Sequence, residues 1–367
     1  MRDLRFHRSK VPTAAAALLA SICFCASVAH SQSKISNFSG SDLQVSVSDA
    51  DRAGAGSAVR GEGHANYART AAGVAARNHA AMKHQSLAAS AAAANSQLVG
   101  ESFTQNPGDV TYFGGPVLQY AVSHAVYINP GGACTISGCW GNPEGFLEDV
   151  SDSDFIHVLD QYAGVTANRR YTVGSRAVLK GNLSSNSLSE SDLIAILHGV
   201  VSKTGAAGYG NIYHLFLAPG IDTCFDAPAN NVCYSPDNLA TFAFCAYHDN
   251  ATFTDLGLHV IFTVEPSQLV PGCEDAPTGA PNSLLIDSTN DTLSHELSEA
   301  ISDPDLDAWF NNSNFGLSGA EIGDECLFAD PFTNIISEPT FRIDGKLYRI
   351  QSEYSNDKHA CAISPKD

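Results

Sequence analysis

The sequence predicts an α/β or α+β chain, a single disulfide-bonded domain on a mixed sheet, preceded by a flexible N-terminal segment. Strand-like runs rich in β-branched and aromatic residues alternate with helix-like runs of helical period, and no internal repeat interrupts the alternation. Apolar residues make up 44% of 367, ample for a packed core. Ten cysteines point to a chain stapled in an oxidising compartment.

At the start, Arg2, Arg5, Arg8 and Lys10 precede an apolar run from Val11 to Ala29, with small residues up to Ser31. This reads as a secretory signal over residues 1–31, which places the protein outside the cell or in a periplasm. A membrane anchor competes, but Pro12 breaks the run, and it is short for a span of ~20 residues. Residues 32–107 are rich in Ser, Ala, Gly and Asn and read as a linker or pro-segment. The Ala-rich stretch 65–95 has helix propensity without a wide apolar stripe, and the alternative is an inhibitory arm packed on the domain.

The globular α/β domain is expected over 108–367. Residues 110–118 and 122–128 read as strands, and 152–162 as a helix. Ser189 and Asp192 form a capping-box pattern that opens a helix over 193–201. Strands follow at 212–217 and 258–264, then a helix over 288–302, then a hairpin over 341–348 around Asp344-Gly345.

Two cysteines lie in the signal. The other eight are expected to pair locally, as Cys134–Cys139, Cys224–Cys233, Cys245–Cys273 and Cys326–Cys361, although spacing alone does not fix connectivity. A cysteine zinc site has no CxxC pair behind it. The net charge of −19 becomes more negative once the basic signal is lost, which excludes nucleic acid and anionic membrane as partners and supplies carboxylates for cations. A monomer is expected.

The chemistry concentrates in the 288–302 helix. His295 and Glu299 are four apart, so they share a face able to hold one divalent metal, with Glu296 beside them as general base. Leu293, Leu297, Ala300 and Ile301 form the apolar stripe on which such a helix would lie. An ordinary surface helix with a weak His–Glu pair would look the same. Further on come Glu321 and Asp324, the latter just before Cys326. HExxE followed by a distal Glu resembles the gluzincin arrangement of zinc peptidases. The resemblance implies a zincin-like sheet with a metal-site helix, His295, Glu299 and Glu321 as Zn²⁺ ligands, and Glu296 as base. Glu299 departs from that pattern, because a second carboxylate where the family has imidazole blunts the metal as a Lewis acid.

A metzincin-type reading takes Asp305 as third ligand. It lacks the usual glycine, since Ser302 stands there, and no methionine follows Met82 to make a Met-turn. Asp324 is a further alternative ligand. Ca²⁺ is the alternative ion: Asp303, Asp305 and Asp307 alternate as in a calcium loop, with Asn311, Asn312, Asp324 and Asp330 nearby. The EF-hand pattern fails at Ala308 and Asn314. His124, His214, His248, His259 and His359 read as core or rim histidines, with His248 and His359 placed to reach the site. No GxSxG, P-loop or GxGxxG motif appears.

Tyr112-Phe113-Gly114-Gly115-Pro116-Val117-Leu118, Ala300-Ile301-Ser302-Asp303-Pro304 and Glu321 to Cys326 together resemble the phosphate-induced, EXORDIUM-like secreted proteins, over most of 108–364. The resemblance implies an extracellular, cell-wall-associated protein without an established biochemical activity. The His–Glu pair is a departure from it. The expected function is a secreted metal-dependent hydrolase, of zincin metallopeptidase type, acting on a peptide or cell-envelope substrate. The alternative is a non-catalytic EXORDIUM-like envelope protein whose acidic loop binds calcium or nothing.

Overall fold

The computed structural model describes residues 42–366 apart from 96–107, 130–133, 226–231, 275–280, 313–316, 328–339 and positions 180, 182, 184 and 344. The expected signal, 1–31, and the calcium-loop positions Asn314 and Asp330 lie outside the described residues.

Among the described residues, main-chain pairing gathers nine strands into one mixed sheet. Seven run in the order Leu43–Val45, Ala177–Leu179, Ala121–Ile128, Asn211–Leu217, Leu258–Glu265, Phe244–Phe253 and Val59–Arg60. Tyr171–Val173 pairs with Ala121–Ile128, and His64–Tyr67 with Phe244–Phe253. Pairing is parallel from the first edge as far as Leu258–Glu265 and antiparallel beyond it. The central strands are buried on both faces, as strands covered on both sides are.

Helix Glu190–Thr204 begins where predicted. The Ser189 side chain accepts the Asp192 N–H, Asp192 accepts the Ser189 N–H, and left-handed Gly205 ends the helix. The site helix, Leu284–Ser302, is longer than expected, because Ser283 caps it one turn earlier. It is also buried from Asp287 to Ser302, so its ligand face looks into the protein and not onto a surface. It packs on Phe244–Phe253, on Leu258–Glu265 and on the short helix Ile322–Leu327.

All four cysteine pairs form as expected. Such bonds are worth about 2–4 kcal/mol each, mainly by restricting the unfolded chain. Cys326–Cys361 ties Ile322–Leu327 to the hairpin Glu353–Ser355/Ala360–Ala362, and Cys245–Cys273 lies three residues before His248. Among the described residues, no helix is long and apolar enough to cross a membrane.

Three expectations need correction. The 110–118 strand shrinks to Thr111–Tyr112, paired with Trp309–Phe310, because Gly114 turns the chain at φ 101°. The 152–162 helix is a tight 3-10 segment, Phe155–Leu159, that passes into Asp160–Ala163. Most consequentially, the segment read as a flexible linker is built into the fold from residue 42. Leu43–Val45 forms one edge of the sheet, Val59–Arg60 and His64–Tyr67 extend the other, and Asp49–Gly56 packs on Glu190–Thr204. Its low apolar content misleads, because main-chain pairing and small residues such as Ala55, Ala65 and Ala68 dock it without large side chains.

His198 clasps that segment. Its Nδ1 lies 2.8 Å from Asp51 and its Nε2 3.0 Å from Asp255. Burial disfavours the charged ring, but the bonds to Asp51 and Asp255 outweigh it and hold its pKa above the ordinary 6.5. A value raised on folding contributes stability that is complete below the unfolded value and lost as pH rises through the folded one. Limited proteolysis should therefore cut the N-terminal segment faster at about pH 8 than at about pH 6, and His198→Gln should flatten that difference. Equal pH dependence in the variant would remove His198 from this role.

Candidate metal centre

The site is assembled by four pieces of chain. The site helix supplies His295, Glu296 and Glu299. Strand Phe244–Phe253 supplies His248, and strand His64–Tyr67 lays His64 directly opposite it in register, with ring centroids 5.6 Å apart. The Ile322–Leu327 turn brings Glu321 and Asp324 over the helix. His248, His295, Glu296 and Glu299 are each 0% exposed.

The two buried histidines are prepared in the same way. His295 Nδ1 is 3.2 Å from Gln351 Oε1, whose amide is oriented by donating to the Gly323 carbonyl at 2.6 Å. The oxygen can only accept, so Nδ1 carries a proton, and Nε2 is turned to the carboxylates, 3.2 Å from Glu299 Oε2 and 4.0 Å from Asp324 Oδ1. His248 Nε2 donates to the Asp303 carbonyl at 3.3 Å, which frees Nδ1 to face Glu299 Oε2 at 3.6 Å and Glu296 Oε2 at 3.5 Å. Asp324 donates its N–H to Glu299 Oε1 at 3.2 Å.

Glu321, expected as third ligand, lies against His248 and His64. Its Oε2 is 3.6 Å from His248 Nε2 and its Oε1 3.4 Å from His64 Nδ1, so Asp324 is the carboxylate presented to His295. His64 Nε2 lies 2.6 Å from Asp324 Oδ2. The alternating aspartates disperse. Asp303 accepts the N–H groups of Asp307 and Ala308, and Asp305 bonds His259 and Tyr209. The other histidines are engaged away from the centre: His124 with Asn211, His214 with Thr263 and Ser123, and His359 with Asp109.

Burial sets the electrostatics. It pushes Glu296 and Glu321 well above the usual carboxylate range; His295 opposes the shift at Glu296, while neighbouring acids add to it at Glu321. Burial, reinforced by nearby His64, drives His248 well below the ordinary imidazole value and keeps it neutral. At His64 and His295 burial acts in the same direction but is overcome, by Asp324 for the first, which rises to about 9, and by Glu299 for the second. Asp324 shifts the other way from Glu296 and Glu321, because His64 outweighs its burial and lowers it.

Among the described residues, His248 Nδ1, His295 Nε2, both Glu296 oxygens, Glu299 Oε2, Glu321 Oε2 and Asp324 Oδ1 have no hydrogen-bond partner. An unpaired buried polar group costs about 1–3 kcal/mol, more when charged, so this many converging on one region fits a divalent cation. Among the described residues, two groups of three have ligand atoms within 4.8 Å of one another: His64, Glu299 and Asp324, and His248, Glu296 and Glu299. A cleft of about 450 Å³ reaches the centre at His64, Asp303, Glu321 and Asp324, while His295, Glu296 and Glu299 do not line it.

His64 was missed because a lone histidine between Gly63 and Ala65 in a Ser/Ala/Gly-rich stretch has no ligand spacing. The resemblance of that stretch to a linker hid it further. Comparison with protein-family models, curated proteins and solved structures returned no match to this chain.

Proposed function

We propose that the chain is an exported metal-dependent hydrolase whose cation is held by His295, Glu299 and Asp324, with His64 closing the seat from the cleft. The observation that carries this reading is His295. One ring nitrogen is committed to Gln351, and the other is turned, unpartnered and buried, onto two carboxylates. Zinc suits a seat of imidazole and carboxylate donors. A divalent cation there supplies Lewis-acid polarisation of a substrate carbonyl oxygen. Glu296 holds the proton taken from the attacking water. Burial raises its pKa, which makes that carboxylate a stronger base. Substrate enters by the cleft, and His64 is the side chain that must move aside for it. The signal-like N-terminus and the resemblance to EXORDIUM-like proteins support export, and the four disulfides agree with it.

The complete burial of His295, Glu296 and Glu299 favours a second reading, a non-catalytic envelope protein with a structural cation, because structural sites are closed whereas catalytic ones keep an open position. Peptide and ester libraries should separate the two. With Zn²⁺ present, a hydrolase turns over substrate, and Glu296→Gln loses at least about 100-fold in kcat while keeping the ion at His295. Bound metal with no turnover in either form leaves the structural reading.

A further inference from the structure

We propose that His248, Glu296 and Glu299 hold a second divalent cation, with Glu299 bridging it to the ion at His295. The inference rests on the metal-centre reading above and deepens it from one ion to two.

The His295 seat does not use His248. Yet His248 is fully buried, its Nε2 is committed to the Asp303 carbonyl, and its Nδ1 is aimed at Glu296 and Glu299 without a hydrogen-bond partner among the described residues. His295 receives the same kind of support from Gln351, which orients its ring while the other nitrogen faces Glu299. Ring nitrogens of the two histidines approach the same atom, Glu299 Oε2, at 3.2 and 3.6 Å. A carboxylate shared in this way spans two ions about 3.5–4 Å apart in two-metal hydrolytic centres. Glu296 adds the third donor, with its Oε2 at 3.5 Å from His248 Nδ1 and neither oxygen hydrogen-bonded.

Glu296, Glu299, Glu321 and Asp324 are all buried, so the centre crowds four carboxyl groups around the two histidine nitrogens. The second ion would divide the work of Glu296: Oε2 faces the ion, and Oε1 remains for the proton. His64 and Glu321 then line the cleft side of a centre able to grip both the attacked group and the attacking water.

The test counts ions on the purified full chain, stripped with a chelator, titrated with Zn²⁺ and analysed by mass spectrometry after gel filtration. Two equivalents are expected in the wild type and one in both His248→Ala and Glu296→Gln. Reloading with Mn²⁺ should give a spin-coupled signal in the wild type and an isolated-ion signal in either variant. Glu296→Gln preserves size and shape, so it decides the matter should His248→Ala fail to fold. One equivalent in the wild type, unchanged in Glu296→Gln, overturns the second seat and leaves the His295 reading standing. Two equivalents surviving in both variants overturn the assignment of these residues. No ion in a folded wild type overturns both readings.

Discussion

Chelating divalent cations from the purified protein is expected to lower its thermal midpoint by about 10 °C or more, and readdition of Zn²⁺ should restore it. The argument begins with the orphaned atoms. Seven buried nitrogens and oxygens of the centre, on six side chains, lack a hydrogen bond among the described residues, and they sit where the site helix meets Phe244–Phe253 and Ile322–Leu327. Without cations that junction is held together by carboxylates that repel or must take up protons. A ligand at a thousand times its dissociation constant adds about 4 kcal/mol, and for a domain of this size each kcal/mol moves the midpoint by about 2 °C. One ion therefore gives most of the expected shift, and a second carries it past 10 °C. Differential scanning fluorimetry with and without chelator suffices to measure it. A midpoint unmoved by chelation would mean that the buried carboxylates are satisfied by protons alone. Restoration by Ca²⁺ but not Zn²⁺ would assign the seat to a harder ion than the His295 geometry calls for.

What the sequence discloses about this centre is its local part. The HExxE spacing puts His295 and Glu299 on one helical face whatever the fold, and the Glu321–Asp324–Cys326 cluster is equally visible, because both lie within a turn or two of chain. The disulfides were legible because each joins two cysteines that are consecutive among the eight, even where they stand 28 and 35 residues apart. The contributions that depend on pairing between strands were not. His248 was placed within reach of the site, but its long strand was not read, since Cys245, His248, Asp249 and Asn250 break the usual apolar run. Tertiary burial overrides that composition, and Asp249 lies in the interior with a raised pKa, driven first by desolvation. His64 depends on register alone. Its strand has four residues, and a slip by one would turn it to the other face of the sheet. Helical spacing turns His295 and Glu299 away from the Leu293–Leu297–Ile301 stripe, but it does not tell that a second layer of protein covers them. Amphipathicity separates two faces of a helix and does not say whether the polar one meets water or a buried ion.

Gly323→Ala is expected to weaken metal binding by at least about 100-fold while leaving the fold in place. Gly323 packs so closely on the centre that an added Cβ would stand 2.6 Å from His295 Nδ1, 2.8 Å from its Cε1 and 2.9 Å from Glu299 Oε1. Its backbone is not in the left-handed region, so alanine meets no conformational penalty and the effect is purely steric. Relief requires the imidazole to swing away from Gln351 and Glu299 to shift, which undoes both the tautomer lock and the shared carboxylate. The Gly323 carbonyl also orients Gln351, so one methyl disturbs the support and the ligand together. Overpacking of this kind costs about 1–3 kcal/mol, which a chain with four disulfides tolerates. The control is Gly56→Ala in the N-terminal helix. There an added Cβ meets nothing within 4 Å, so binding should be unchanged and stability slightly improved. Competition titration against a chromophoric zinc chelator, read beside near-ultraviolet circular dichroism, separates loss of the seat from loss of the fold. Wild-type affinity in a folded Gly323→Ala protein would show that His295 and Glu299 do not hold the ion.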